Sequence, residues 1–144
     1  MVVAQMRGRK AAEIELLRTA PVFSWCSREE LDVLAAEADE VSVDEGTTLI
    51  RQGEPGHELI VLVDGSAEVR KNGRRISRLF GGDFVGEISL FTDAAPTATV
   101  TTTSRSRLLL LSERGFRRAV EQMPSVRASI LQAVSERLQA DTRL

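Results

Sequence analysis

One cysteine and one histidine are all that the 144-residue chain has of the usual metal and disulfide chemistry. Cys26 has no partner for an internal disulfide, and His57 alone cannot supply a multi-histidine metal site, so both kinds of scaffold drop out. Long apolar runs are missing as well. No stretch approaches the roughly 18–20 apolar residues that cross a bilayer, and the start Met1-Val2-Val3-Ala4-Gln5-Met6-Arg7 opens no signal peptide with an extended apolar segment. A cytoplasmic protein without membrane insertion is expected. Neither sign of charge dominates: 19 Lys and Arg stand against 21 Asp and Glu, a net charge of −2, so no overall field draws the chain to nucleic acid or anionic lipid. No catalytic constellation emerges either. A serine nucleophile would need a base that only His57 offers, and Cys26 lies beside Trp25 ahead of a predicted helix; the expectation is no enzyme, no catalytic residues and no metal ligands.

What is present is the material of a single folded domain. Hydrophobic residues make up 42% and charged residues 28%, an ordinary globular balance. From Lys10 to Leu17, Ala11, Ile14 and Leu17 recur at helical spacing, a lead-in helix over residues 1–20 that Ala20-Pro21 ends. Ser27-Arg28-Glu29-Glu30 is a capping box, followed by Leu31, Leu34, Ala35 and Ala38 on one face. Beyond Asp39 the period shortens. Strands are predicted at Glu40–Val43, Thr47–Arg51, Glu58–Val63, Ala67–Lys71, Arg74–Phe80, Ala98–Thr103 and Arg107–Leu111, with Asn72-Gly73 supplying the positive φ of a two-residue hairpin. Ser112 is placed as an N-cap, with Phe116, Ala119, Val120 and Met123 on one helical face before Pro124 interrupts. A last helix from Ser125 carries the stripe Val126, Ile130, Leu131, Val134 and Leu138. The expected fold is mainly β with flanking helices: a double-stranded β-helix, or jelly roll, with N-terminal helices, a β-core at about residues 40–111 and two C-terminal helices at about 112–143.

Two stretches carry more specific information. Leu49 to Gly65 reads as a strand, a Gly53-Glu54-Pro55-Gly56 turn, the apolar run Leu59 to Val63 and another glycine turn. Val85-Gly86-Glu87-Ile88-Ser89-Leu90-Phe91 continues through Thr92 and Asp93 to Ala94-Ala95-Pro96-Thr97-Ala98-Thr99-Val100. Gly86 lets a backbone approach a ligand closely, and the first amides of a helical turn at Glu87, Ile88 and Ser89 can face an anion. Together the stretches resemble the cyclic nucleotide-binding domain family, over about residues 21–144. The resemblance makes the second stretch a phosphate-binding cassette and implies a cyclic AMP or cyclic GMP ligand with no further cofactor. It implies that Glu87 accepts from the ribose 2′-hydroxyl, that the Ser89 amide and Thr97 meet the cyclic phosphate, and that Ala98 and Val100 pack.

The sequence departs from that pattern at Pro96, which the resemblance sets where the family carries arginine. Proline offers neither the charge nor the donors of a guanidinium. Hydrogen bonds to charged groups are worth about 1.5–3 kcal/mol each, so affinity is expected to fall about ten- to several-hundredfold. Glu87, Asp83 and Asp93 make the local field more negative still. Arg51, Arg105 and Arg107 are the available substitutes, none at the matching position. The other glycines read most simply as turn residues, Glu87 alone as the cap of a helical turn, His57 as an exposed turn residue, and Trp25 and Cys26 as core. The resulting expectation is a regulatory sensor domain with weak or altered cyclic nucleotide binding. It would act on a regulated protein partner by population shift, with no DNA-reading module after Leu144; the C-terminal helix reads most simply as docked on the domain, and the resemblance implies that it also serves as lid or homodimer seam. The competing expectation is a degenerate interaction or dimerisation module that binds no nucleotide; a regulatory piece of a channel or transporter is a third.

Overall fold

Ser27 starts the first helix as its sequence dictates: the Glu30 amide donates to Ser27 Oγ at 3.1 Å and the Ser27 amide donates to Glu30 Oε1 at 2.9 Å. The structure, a computed structural model, describes residues 18, 23–92 and 94–140; the lead-in helix expected at Lys10–Leu17 and its boundary at residue 20 lie outside them. Helix α1 spans Arg28–Glu37 and passes without a loop into β1, Ala38–Val43, so Ala38 opens a strand rather than closing the helical face. The remaining elements are β2 (Thr48–Ile50), β3 (Glu58–Asp64), β4 (Ser66–Lys71), β5 (Arg74–Phe80), β6 (Phe84–Val85), α2 (Glu87–Thr92), β7 (Thr99–Thr102), β8 (Ser106–Ser112), α3 (Glu113–Gln122) and α4 (Pro124–Ala140). Asn72 and Gly73 adopt φ of 53° and 80° and close the β4–β5 hairpin.

Two four-stranded antiparallel sheets, ordered β1-β8-β3-β6 and β2-β7-β4-β5, make the jelly roll that the strand pattern predicts. The first sheet is covered on both sides. Ile60, Leu62, Leu108 and Leu110 point between the sheets with Val43, Val69 and Val100, while Leu59, Val61, Leu109 and Leu111 point outward under α1, α3 and α4. Burial on both faces explains why β3 and β8 read as unbroken apolar runs instead of alternating ones.

The C-terminal helices differ from expectation at one residue. Pro124 is the first residue of α4 and starts the helix instead of merely interrupting the chain, a position where its missing N–H costs nothing. Val126, Ile130 and Val134 are buried in this chain's own helical core, as a helix docked on the domain requires, and Leu131 is the stripe member left 45% exposed; the side chain of Leu138 lies outside the described residues. Trp25, expected in the core, is 82% exposed, whereas Cys26 is buried against α4, its Sγ 3.9 Å from Ser125 Oγ. No helix among the described residues is long and apolar enough to cross a membrane.

Candidate functional site

Between the sheets, on the side of β6 and α2, lies a cavity of about 460 Å³, within the usual range of ligand sites. All seven residues singled out in the sequence line it: Gly86, Glu87, Ile88, Ser89, Pro96, Thr97 and Ala98. They arrive from two segments, Gly86 with the first turn of α2 and the stretch between α2 and β7, and each segment is pinned. Gly86 leaves β6 with φ of 99°, and a Cβ there would come within 2.5 Å of the Glu58 carbonyl oxygen; glycine is what lets β6 pass so close to β3 and turn into α2. On the other side, the Gly53 amide donates to the Pro96 carbonyl at 2.9 Å and the Gln52 amide donates to Thr99 Oγ1 at 2.9 Å, fastening residues 96–99 to the turn after β2.

Helix α2 is a turn and a half long. Its geometry gives the amides of Glu87, Ile88 and Ser89 no intrahelical acceptor, and the first bond of helical type runs from the Leu90 amide to the Gly86 carbonyl at 3.4 Å. Thr92 closes the other end, its Oγ1 donating to the Ile88 carbonyl at 2.6 Å and accepting from the Ala94 amide at 3.2 Å. Glu87 is only 1% exposed and Ser89 is buried, while Thr97 is exposed at the mouth and Ala98 is buried with Val100 in the inter-sheet core. Ile88 has a double position: it lines the cavity and packs against the helical core that contains Leu90, Val126 and Ile130.

Several lining residues were not singled out in the sequence. Leu49, Ile50, Ile60, Val69, Leu79 and Val85 make the floor apolar, and Ser77, His57 and Glu58 add polar atoms. His57, read from the sequence as an exposed turn residue, is exposed and also lines the cavity. Burial, and after it the neighbouring Asp39 carboxylate, push the Glu58 carboxyl above the usual carboxylate range, with His57 pulling the other way. Among the described residues, the acids that line the cavity are Glu58 and Glu87. Asp83, expected to add to the field, sits in the turn before β6, where Asp83 Oδ2 accepts from the Phe80 amide at 2.8 Å, and is not among the lining residues; Asp93 lies outside the described residues.

No lysine or arginine is among the described lining residues. Arg105 Nη1 is 2.8 Å from Asp44 Oδ1. Arg107 shares its face of β8 with Leu109 and Leu111, away from the cavity, and lies 3.5 Å from the buried Glu40 carboxylate. Arg51 follows β2 beside the 96–99 segment, paired with Glu54 at 3.2 Å and largely exposed.

The protein-family model described as the cyclic nucleotide-binding domain matches residues 40–123, a span that holds both sheets from Glu40 onward, the cavity and α3. The chain is 34% identical over 114 residues to the Pycsar effector protein XpPycTIR of Xanthomonas perforans, covering 78% of this chain and 38% of that protein. Among solved structures it is similar to the regulatory domain of Toxoplasma gondii PKA with cAMP, at TM-score 0.79 and 21% identity, covering 90% of this chain and 51% of that one. The regulatory subunit of a cAMP-independent protein kinase A from Trypanosoma brucei gives TM-score 0.79 at 24% identity, covering 93% and 50%. The chain thus spans about two fifths of that effector and about half of each of the two solved chains. With the model matched across the β-core and its cassette, the chain belongs to the cyclic nucleotide-binding domain family.

Proposed function

We propose that the cavity is a regulatory site for a cyclic nucleotide held with reduced affinity, and that the domain acts by binding rather than by catalysis. The observation that carries the reading is the convergence of Gly86, Glu87, Ile88, Ser89, Pro96, Thr97 and Ala98 on one 460 Å³ cavity. In this reading the first amides of α2 and the Thr97 side meet the cyclic phosphate, and Glu87 takes the ribose hydroxyl. The apolar floor from β2, β4, β5 and β7 takes the base. Reduced affinity follows from charge: among the described lining residues two carboxylates and no guanidinium face an anion, and like charge opposes its burial.

Regulation follows from α2. Its Ile88 touches both cavity and helical core, so a ligand that pulls on α2 acts on α4 through the packing around Leu90 and Ile130. A nucleotide that favours one packing of α2 against α4 shifts the population by its differential affinity and no more.

The second reading, a degenerate module that binds no nucleotide, is favoured by the same Pro96 and by the lack of lysine and arginine among the described lining residues. Thermal denaturation separates the two. A sensor gains stability as RT ln(1 + [L]/Kd), so the melting temperature is expected to climb with cyclic AMP or cyclic GMP through the millimolar range. A flat melting temperature at several millimolar of both would favour the module.

A further inference from the structure

The β4–β5 hairpin carries Arg70, Lys71, Arg74, Arg75 and Arg78 with no acid between Val69 and Gly82, on a chain of net charge −2. Strand β5 ends its sheet, paired with β4 on one side only. Its inward residues Ser77 and Leu79 line the nucleotide cavity. Its outward residues Arg78 and Phe80 line instead a separate groove of about 230 Å³, together with Arg75, Ser66, Glu68 and Thr103. Phe80 is 56% exposed there. The one acid in the groove is already engaged, since Arg70 Nε lies 2.7 Å from Glu68 Oε1. That bond and the positive field of Arg70, Arg75 and Arg78 hold the Glu68 carboxyl below the usual carboxylate range. The guanidinium groups of Arg74, Arg75 and Arg78 make no ion pair among the described residues.

We propose that the free edge of β5 docks an extended acidic segment of a partner protein, added as a fifth strand whose carboxylates pair with Arg75 and Arg78 and whose apolar residue covers Phe80. Charge selects this occupant. A second copy of the chain approaching edge to edge would set arginine against arginine, which is how charged edges keep like strands apart, whereas carboxylates at alternate positions meet the guanidinium forks bidentately. The main chain of Phe80 is engaged by Asp83, its amide donating to Oδ2 at 2.8 Å and its carbonyl accepting from the Asp83 amide at 3.0 Å; the residues of β5 before it extend about 20 Å, room for one short strand with its main-chain hydrogen bonds. A long nucleic acid or an anionic bilayer would spread past the edge onto a surface whose balance is acidic. The inference stands independently of the nucleotide reading, because none of the groove residues lines the cavity.

Fluorescence anisotropy tests it, with the full chain and a labelled peptide that alternates Glu and Val around one central Phe. The peptide is expected to bind, to lose at least about tenfold in affinity with Arg75→Glu/Arg78→Glu, and to lose as much when alternate peptide amides are N-methylated. Arg75→Lys/Arg78→Lys should retain part of the affinity, and the melting temperature of both variants should stay that of the parent chain. No preference for the acidic peptide over its Lys-for-Glu counterpart would overturn the proposal. So would indifference to N-methylation, or tighter binding of a single-stranded oligonucleotide or of phosphatidylglycerol vesicles through the same arginines.

Discussion

Gly86 is the residue on which the site turns, because its φ of 99° and the 2.5 Å from its ideal Cβ to the Glu58 carbonyl leave no room for a side chain. Gly86→Ala is expected to cost about 2 kcal/mol or more and to abolish whatever thermal response the parent shows to nucleotide; urea denaturation and a melting series check both. Glu58 gives a pH-dependent prediction. Its carboxyl titrates above the usual range in the folded chain because burial and Asp39 disfavour its charge. The stability it contributes is therefore complete below the ordinary carboxylate value of about 4.3 and is lost as pH rises through the raised one. Glu58→Gln should be more stable than the parent at pH 7, with the difference vanishing below about pH 4; equal stabilities at pH 7 would contradict the assignment. Gly86 and Glu87 were legible in the sequence because the cassette is one continuous stretch. Glu58, Ser77 and Leu79 reach the cavity from paired strands and His57 from the turn ahead of β3, and nothing local in the sequence marks a residue whose neighbours come from another strand.

Among the elements, those with a long repeat or a capping signature were readable in advance. The Ser27 box, the Ser112 cap, whose Oγ accepts from the Gly115 amide at 3.1 Å, and the Asn72-Gly73 turn are local chemistry. Strand β6 has two residues, too few for any period, and is absent from the strands predicted from the sequence. At Ala38 the chain leaves α1 and enters β1 directly, so one alanine satisfied both patterns and the sequence alone could not place the boundary. Helix α4 carries the clearest test at this scale. Ile130 is wholly buried while Leu131, its neighbour in the stripe, is 45% exposed. Ile130→Ala is expected to cost about 2–5 kcal/mol and Leu131→Ala within about 0.5 kcal/mol, both read by urea denaturation. Equal costs would mean that α4 faces the core differently from the packing described here.

At the scale of the whole molecule, two cores share β3 and β8. The inter-sheet core holds the cavity, the outer core holds the helices, and α2 stands at their junction, with Ile88 touching the cavity and Leu90 buried among the helices. On the proposed function, a small ligand would bias helix packing through α2. In the proposed reading, binding strength depends on what balances a phosphate beside Glu58 and Glu87, and that is where Pro96 would matter. Isothermal calorimetry of cyclic AMP and cyclic GMP against the parent chain and Pro96→Arg tests this most directly. Weak binding by the parent and a gain of about ten- to several-hundredfold with the arginine restored is the predicted result; binding at micromolar or better by the parent with no gain from the arginine, or no heat from either protein, would contradict it.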